Sequence, residues 1–241
     1  MKHELNHLNQ PIGTVVRDWK TPSEPQRENI DGQYCRLEPL DPILHAVSLW
    51  TANALDIEGS NWTYLSYGPF ETLEDYRIWI EQNCFSRDPL FYAMVDLTTE
   101  KAVGVASYLR ISPHDGSIEV GHLNFSPLLQ HTRAGTEAMY LMMARAFGLG
   151  YRRYEWKCNA LNLASRSAAL RLGMSFEGLF RQATIVKGRN RDTAWYSAID
   201  HEWPSIQIAF LAWLSPSNFD EHGNQRSQLS SLMAAALKRH T

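Results

Sequence analysis

The chain has 241 residues, enough for one large domain with a substantial hydrophobic core. Hydrophobic residues make up 44% and charged residues 20% of the sequence, which is typical of globular proteins. The net charge of −3 provides no basic field of the kind that binds nucleic acid, and no acidic run suggests a cationic partner. We therefore expect no nucleic-acid partner.

The cysteines and the N-terminus indicate the compartment. Cys35, Cys84 and Cys158 are far apart and form no CxxC, so they match neither a disulfide framework nor a zinc pattern. The nine histidines show no ligand spacing, so we expect no metal. The N-terminus lacks an apolar signal-peptide region, and no apolar run approaches the ~18 residues of a membrane helix. These features predict a cytoplasmic protein without membrane contact.

The first 32 residues are polar and interrupted by prolines, which predicts an N-terminal extension lying on the domain surface. A short strand is then expected over 33–40, and helices over 42–55 and 73–83. Between the helices lies an aromatic loop that contains Trp62, Tyr64 and Tyr67.

Strands are predicted over 90–97, 102–111 and 117–125, joined by polar turns. Residues of the third strand alternate between two faces, with His122 and Asn124 on one face and Glu119, Leu123 and Phe125 on the other. Glu119 and His122 are therefore expected to face opposite sides of the sheet.

An irregular polar turn follows at Gln130 and leads into a helix that ends near Gly148. A strand over 151–158, a second helix from Asn162 to Gly173, and a hairpin around residues 187–190 complete the pattern. This order predicts the α/β (α+β) class, with a central mixed, mostly antiparallel twisted sheet flanked by helices. The unpaired N–H groups at the start of a helix favour a phosphate ligand.

The last 40 residues form a C-terminal helical extension, 202–241, with apolar stripes over 204–214 and 227–237. Such stripes must be buried. Packing on the parent domain is the default, and a homodimer partner is the alternative.

Three motifs make the chain resemble the GNAT superfamily of N-acetyltransferases, in particular the branch with the ribosomal-protein N-terminal acetyltransferases. The first is Gln130-His131-Thr132-Arg133-Ala134-Gly135, similar to the family's acyl-CoA pyrophosphate loop but with Arg133 at a usual glycine. The second is Asn162-x-x-Ser165. The third is Phe176-x-Gly178 followed by Arg181, Gly188, Asp192 and Tyr196-Ser197. The resemblance covers 33–201, which we expect to be one acyltransferase domain with the GNAT fold.

The resemblance implies acetyl-CoA as co-substrate. The pyrophosphate would be held by the loop's backbone amides, and the pantetheine by amides of the strand before it and by Asn162. The implied cofactor-binding residues are Leu123, Asn124, Phe125, Gln130, Thr132, Arg133, Ala134, Gly135, Thr136, Asn162 and Ser165. The Arg133 side chain either reaches a phosphate or is solvated.

The resemblance also implies the proton chemistry. Many relatives have a tyrosine acid where this chain has Ala169, so Ser165 is the expected proton donor to the thiolate, with helix capping as its structural alternative. The branch's glutamate position is Thr184, which leaves the base to His122, Glu119 or Glu155, or to a water chain. His122 is slightly favoured over Glu119.

Trp62, Tyr64 and Tyr67 are expected either to bind the acceptor or to pack in the core. The implied function is acetyl transfer to a primary amine of a small molecule or peptide. O-acyl transfer or a longer acyl group is a second enzymatic interpretation. A catalytically silent acyl-CoA-binding or sensing module is the alternative outside enzymes.

Overall fold

The computed structural model describes residues 3–238, which form ten strands and six α-helices. The strands are β1 (His3–Leu5), β2 (Pro11–Gly13), β3 (Ile30–Asp31), β4 (Cys35–Pro39), β5 (Leu90–Asp96), β6 (Lys101–Ser112), β7 (Ser117–Phe125), β8 (Arg153–Asn159), β9 (Ser175–Val186) and β10 (Arg189–Ile199). The helices are α1 (Pro42–Asn53), α2 (Leu73–Asn83), α3 (Arg133–Gly148), α4 (Leu163–Arg171), α5 (Trp203–Leu214) and α6 (Leu229–Leu237).

Eight strands form one sheet in the order β3-β4-β5-β6-β7-β8-β10-β9. Neighbouring strands are antiparallel except β7 and β8, which are parallel because α3 crosses over between them. The mixed, mostly antiparallel sheet flanked by helices that the sequence predicts is therefore confirmed.

Two hydrophobic clusters cover different parts of the sheet. One cluster joins β5–β8 and β10 to α3–α6 and contains Val120, Tyr154, Trp156, Met142 and Phe210. The other lies under α1 and α2, against β5 and β6. On the α1–α2 side, the half of the sheet formed by β7, β8 and β10 carries mainly charged and polar side chains.

The parallel pairing of β7 with β8 is short. It runs from the Ser117–Arg153 pair to the Val120–Trp156 pair and then stops. Beyond this point β7 continues to Phe125 along β6, while β8 continues along β10 to the Asn159–Thr193 pair. The two strands part, and a gap opens in the middle of the sheet between residues 121–125 and 157–159.

The segments before β4 and after β10 both contact the sheet or its helices within residues 3–238. The stripes of α5 and α6 bury Ile206, Phe210, Trp213, Leu229 and Met233 in the cluster beneath α3 and α4. The N-terminal segment lies across the other end of the sheet, where the Tyr92 hydroxyl donates to the Gln26 carbonyl at 2.9 Å. Its last residues, β3, pair with β4, and β1 and β2 form a small exposed hairpin that the polar sequence does not predict. No helix within residues 3–238 combines the length and apolar character needed to cross a bilayer.

The hairpin of β9 and β10 has a tighter turn than the sequence predicts. The turn consists of Lys187 and Gly188 alone, and β10 begins at Arg189. Both turn residues have positive φ, +48° and +73°, as in the two-residue turns that match the twist of a hairpin. Glycine at the second position removes the steric penalty of that conformation.

A buried carboxylate joins α3 to the start of β4. Glu137 is 5% exposed, and its carboxylate accepts hydrogen bonds from the backbone N–H groups of Gln33, Tyr34 and Cys35 at 2.9, 2.6 and 2.8 Å. The Tyr34 hydroxyl in turn donates to the Leu214 carbonyl at 3.0 Å. One side chain thus holds the first residues of the domain against the helix that begins at the polar turn.

We predict that Glu137→Gln lowers the free energy of unfolding by about 2–3 kcal/mol, because an amide N–H₂ must face backbone donors. The urea-unfolding midpoint measures this loss. Glu81→Gln, an exposed change on α2, is the matched control. Equal midpoints for the two variants would contradict the structural role of Glu137.

Candidate active site

The gap between β7 and β8 exposes backbone donors. The Ser126 N–H donates to the Val103 carbonyl at 3.2 Å, toward β6. Because N–H groups alternate between the two edges of a strand, the Asn124 N–H also faces β6, whereas those of Leu123 and Phe125 face the gap. Two of the three predicted backbone donors on this strand are therefore available there.

The polar turn contributes a second set of donors at the start of α3. Thr132 caps the helix, and its hydroxyl accepts from the Gly135 N–H at 3.0 Å. The N–H groups of Thr132 and Thr136 donate to the carbonyls of Leu129 and Thr132, each at 3.3 Å. Within residues 3–238 the N–H groups of Arg133 and Ala134 have no partner. The turn thus offers two unpaired amides of the five between Thr132 and Thr136, because the preceding turn, the Thr132 cap and the first helical bond each use one of the others.

Gly135 is required by close packing. A Cβ atom at this position would lie 2.7 Å from the Leu129 carbonyl oxygen and 3.2 Å from the Phe125 ring. The helix therefore starts directly against the last residue of β7. The Gln130 side chain reinforces this junction by donating to the Phe125 carbonyl at 2.9 Å and to Asn61 Oδ1 at 2.8 Å.

The half-buried Arg133 side chain packs on two aromatic rings. Its guanidinium carbon lies 3.5 Å from the Phe219 ring centroid and 4.7 Å from that of Tyr34. It is held between these rings by cation–π contacts, which connect the turn to the C-terminal segment.

The second motif lies on the other side of the gap, where β8 ends and α4 begins. Asn162 Oδ1 caps α4 by accepting from the Ser165 N–H at 3.0 Å. The Ser165 hydroxyl accepts from the indole N–H of Trp156, also at 3.0 Å. Burial raises the pKa of the neighbouring Cys158 thiol, and a hydrogen bond with Ser165 partly opposes that shift. Ala169 is fully buried in the cluster below.

His122 lies at an irregularity of β7. Two residues, His122 and Leu123, stand opposite the single residue Ala106 of β6, and His122 has a φ of +50°. Such a bulge breaks the alternation of faces. The imidazole packs on the rings of Phe91 and Tyr67, at centroid distances of 5.0 and 6.0 Å. His122 therefore lies on the α1–α2 side of the sheet, since Phe91 belongs to that cluster. Glu119 is on this side as well, because its neighbour Val120 is buried on the opposite face, so the expectation that His122 faces away from Glu119 is wrong.

The environment of His122 makes it a weak base in the free protein. Its Nδ1 lies 2.8 Å from the Ser107 hydroxyl, which also approaches the Gly121 carbonyl at 3.3 Å. Burial is the main cause that lowers the pKa of His122, to about 4, and the charges of Arg110 and Arg191 add to it. The imidazole is therefore neutral at physiological pH.

Glu119 belongs to a chain of alternating charges across β6–β10. Its carboxylate accepts from Arg110 Nη1 at 2.8 Å and from Lys157 Nζ at 2.8 Å. Lys157 also pairs with Glu155 at 2.7 Å, and Arg153 joins Glu155 to Glu177. Burial raises the pKa of Glu119 and its two cationic partners oppose that shift. Both Glu119 and Glu155 are thus engaged in ion pairs.

The aromatic loop contacts three parts of the site: β7, the β8–α4 junction and the turn of the β9–β10 hairpin. Tyr67 donates to the His122 carbonyl at 3.3 Å and stacks on Trp79 with a centroid distance of 4.3 Å. The Tyr64 hydroxyl donates to the Leu161 carbonyl at 3.2 Å, across the gap. Lys187 in the hairpin turn donates to the Trp62 carbonyl at 2.8 Å. The Trp62 ring itself is buried in the α1–α2 cluster, so of its two expected roles the structure shows core packing.

Comparison with known proteins identifies the family. The model of the acetyltransferase (GNAT) domain matches residues 43–175 of the chain. A GCN5-related N-acetyltransferase from Brucella melitensis is 41% identical and superposes with a TM-score of 0.89, over 91% of this chain and 100% of that one. The chain belongs to the GNAT family of acetyltransferases.

Two further solved structures define its relation to other GNAT proteins. An acetyltransferase of the GNAT family from Chromobacterium violaceum is 39% identical, with a TM-score of 0.75 over 81% of this chain and 98% of that one. RimL, a ribosomal L7/L12 alpha-N-protein acetyltransferase, is 21% identical, with a TM-score of 0.62 over 71% of this chain and 94% of that one. At this identity, the similarity to RimL shows a shared fold and nothing more. Among curated proteins, none matches the chain significantly.

The GNAT site contains residues that the sequence motifs do not reveal. Lys157 links the two carboxylates and lies 3.7 Å from the Trp195 ring centroid. Arg191, next to the motif residue Asp192, acts electrostatically on His122 and Glu119. Lys157 stands two residues after Glu155 on β8, and Arg191 stands four residues before Trp195 on β10. Residues at even spacing along a strand share a face, and this spacing is the sequence signal that could have identified Lys157 and Arg191. No group of three or more His, Cys, Asp or Glu side chains among the described residues is arranged to hold a metal ion.

We predict that the His122 imidazole of the folded protein titrates near pH 4, whereas in the unfolded chain it titrates near pH 6.5. As pH falls through this window the unfolded chain binds a proton that the folded protein does not, so stability falls with pH. The effect is on the order of 2–3 kcal/mol.

Side-chain ¹⁵N–¹H spectra recorded against pH, with and without urea, give the two titrations. The midpoint of unfolding should depend less on pH between 6.5 and 4 in His122→Gln than in the unmodified protein. A folded-state midpoint near 6.5 would contradict the burial of the imidazole.

Proposed function

We propose that the protein transfers the acetyl group of acetyl-CoA to a primary amine of a small molecule or peptide. The observation that carries this proposal is the gap between β7 and β8, where the N–H groups of Leu123 and Phe125 lack strand partners beside the start of α3. Backbone donors at such a place suit a thioester and its pantetheine arm. The three cysteines are free and buried, which favours a cytoplasmic location.

The residues around the gap fit the parts of acetyl-CoA. The unpaired amides of Arg133 and Ala134, at the positive end of the α3 dipole, would hold the pyrophosphate. The Asn162 amide group, whose oxygen already caps α4, retains its N–H₂ for a pantetheine carbonyl. Acetyl-CoA supplies the activated thioester, and these donors orient it with its carbonyl at the gap.

In the proposal Ser165 donates a hydrogen bond to the leaving thiolate and relays a solvent proton to it, so that its own oxygen is protonated again at the end of the step. Its oxygen accepts from the Trp156 indole, so its own proton is directed elsewhere, toward Cys158 or a leaving thiolate. The indole N–H also stabilises negative charge on the serine oxygen as the proton is shared. Ser165 thus combines helix packing with a hydrogen bond to the leaving group.

His122 is the proton acceptor of the proposal. Both oxygens of Glu119 are bound by Arg110 and Lys157, so the carboxylate would have to give up one of these contacts to accept a proton from the amine. His122 is neutral, and Nδ1–H donation to Ser107 leaves Nε2 with a free lone pair. The amine nitrogen becomes strongly acidic as its bond to carbon forms, so a base of low pKa can take the proton at that stage.

Tyr64 and Tyr67 form the acceptor wall of the proposal. Each tyrosine is fixed by its hydroxyl, to β7 through Tyr67 and to the β8–α4 junction through Tyr64. The Tyr64 ring would border the gap, where an ammonium or alkyl amine can pack on it, and Tyr67, whose ring packs on Trp79 against the α1–α2 cluster, would support this wall.

The direct test incubates purified protein with acetyl-CoA and panels of amines, alcohols and peptides, and follows free thiol. CoA release that depends on an amine, together with mass-spectrometric detection of the acetylated product, supports the proposal. Release with alcohols only would indicate an O-acyltransferase. Acetyl-CoA binding without release across all panels would favour a silent binding module.

We predict that Arg133→Pro weakens acetyl-CoA affinity about tenfold or more relative to Arg133→Ala. Proline is tolerated at the first helical position, and Thr132 before it has the extended backbone that proline requires (φ −93°, ψ 165°). Both variants lose the cation–π contacts, so their difference reports the amide N–H alone. Calorimetric titration measures it, and equal affinities would remove this amide from the phosphate site.

We also predict that Ser165→Ala lowers kcat about 10–100-fold and changes acetyl-CoA affinity less than threefold. Ser167→Ala, an exposed change on the same helix, is the control. A thermal melt of both variants checks that loss of the Trp156 bond does not unfold the domain. Unchanged kcat would return Ser165 to a structural role.

A further inference from the structure

On the α1–α2 side of the sheet, the charged side chains of β6–β10 form a chain of ion pairs that leaves out Arg191. Arg110, Lys157 and Arg153 alternate with Glu119, Glu155 and Glu177, and each carboxylate contacts at least one of these cations. This chain of ion pairs is neutral by itself. Arg191 stands outside it and forms no ion pair or side-chain hydrogen bond within residues 3–238.

Arg191 is nevertheless partly withdrawn from water. Its Nε is fully buried and has no hydrogen-bond partner among the described residues. Burial is the main cause that lowers the pKa of Arg191, although a guanidinium remains charged. The terminal nitrogens of Arg191 are not among the fully buried atoms, so an anionic ligand can reach this half-buried cation and supply the partner it lacks. Arg191 thus lacks an anionic partner within residues 3–238, unlike Arg110, Lys157 and Arg153.

The position of Arg191 points to the acceptor side. On β10 it shares a face with Trp195, whose ring contacts Lys157 of the charge network. The charge of Arg191 acts on Cys158, beside Ser165, and on Glu119 and His122, so the guanidinium lies near the centre of the site. The start of α3, where the phosphates of acetyl-CoA would bind, lies on the opposite face of the sheet.

A second buried donor lies on the same face of this strand. Trp195 is held between Phe180, with a ring distance of 4.5 Å, and Lys157, and its indole N–H has no partner among residues 3–238. The unpartnered side-chain atoms of β10 are thus donors at both positions. A ligand that satisfies them must bring acceptor atoms.

We propose that the acceptor amine carries an anionic group, a carboxylate or a phosphate, and that Arg191 binds it. This inference rests on the proposed acetyl transfer and assigns the chemical class of its acceptor. Arg191 would hold the anion while the amine reaches the gap near His122. Recognition of a charged group by a desolvated partner discriminates strongly against analogues that lack it.

The test compares matched amines that differ in the anion. Butylamine is paired with 4-aminobutyrate, and ethanolamine with phosphoethanolamine, so that the two pairs separate carboxylate from phosphate. We expect kcat/KM to be at least about tenfold higher for the anionic member of one pair. Arg191→Gln should abolish that preference, mainly through KM, and Arg191→Lys should restore part of it. Arg189→Gln, an exposed change on the same strand, is the charge-matched control.

Two results with an active enzyme would overturn the inference and leave acetyl transfer intact. One is equal kcat/KM for the neutral and anionic members in both pairs. The other is an equal loss for both members in Arg191→Gln, which would assign Arg191 to the leaving thiolate and not to the acceptor.

A readout without turnover decides the case in which no amine is acetylated and the proposed function fails. Melting temperatures are measured in phosphate, acetate and chloride at matched ionic strength. An anion site at Arg191 predicts stabilisation by phosphate or acetate that Arg191→Gln loses and Arg189→Gln keeps. In chloride, Arg191→Gln should melt within roughly 2 °C of the unmodified protein, because the side chain it removes forms no ion pair within residues 3–238. A lower melting temperature and no anion effect would make Arg191 a structural residue and overturn the inference.

Discussion

At His122 the backbone of β7 leaves regular strand geometry, and the positions of the other site residues depend on this bulge. The positive φ of His122 is maintained by contacts on both sides: the Ser107 hydroxyl at its ring and the Tyr67 hydroxyl at its carbonyl. A bulge bends and twists its strand. Here β7 diverges from β8 directly after the Val120–Trp156 pair, which frees the Leu123 and Phe125 amides that a continuous parallel pairing would use.

The divergence also separates two chemical environments. On one face of the sheet the gap meets the start of α3, where helix capping by Thr132 and the close approach of Gly135 leave amides for an anion. On the other face it meets a polar surface of alternating charges, bordered by the aromatic loop and the β9–β10 hairpin. A donor thioester and an acceptor amine can therefore approach one point from opposite sides, which is the arrangement that acyl transfer needs.

The sequence predicts the fold because local patterns and glycine or proline positions mark nearly every element, from Pro42 at the first turn of α1 to the glycines after α3. The motif residues Gln130, Asn162 and Ser165 also lie around the gap, as their resemblance to the family implies. Strand alternation fails for His122, because a bulge is a property of two strands and not of one. Trp62 and Arg133 illustrate a second limit of sequence-based prediction. The sequence does not show whether an aromatic or cationic side chain in a loop is packed against other residues or exposed to solvent. The importance of Arg191 depends on which carboxylates pair with which cations, and that is decided only by the register of β6–β10.

In the proposed mechanism the parted strands bind the acyl donor through specific backbone amides. Amide-resolved hydrogen exchange by NMR, with and without acetyl-CoA, tests it most directly because alternate residues of β7 serve as internal controls. Bound acetyl-CoA should slow exchange at Leu123 and Phe125 by at least about tenfold, while Asn124, already bonded toward β6, should change little. Uniform protection along β7, or no protection at Leu123 and Phe125 under saturating acetyl-CoA, would contradict it.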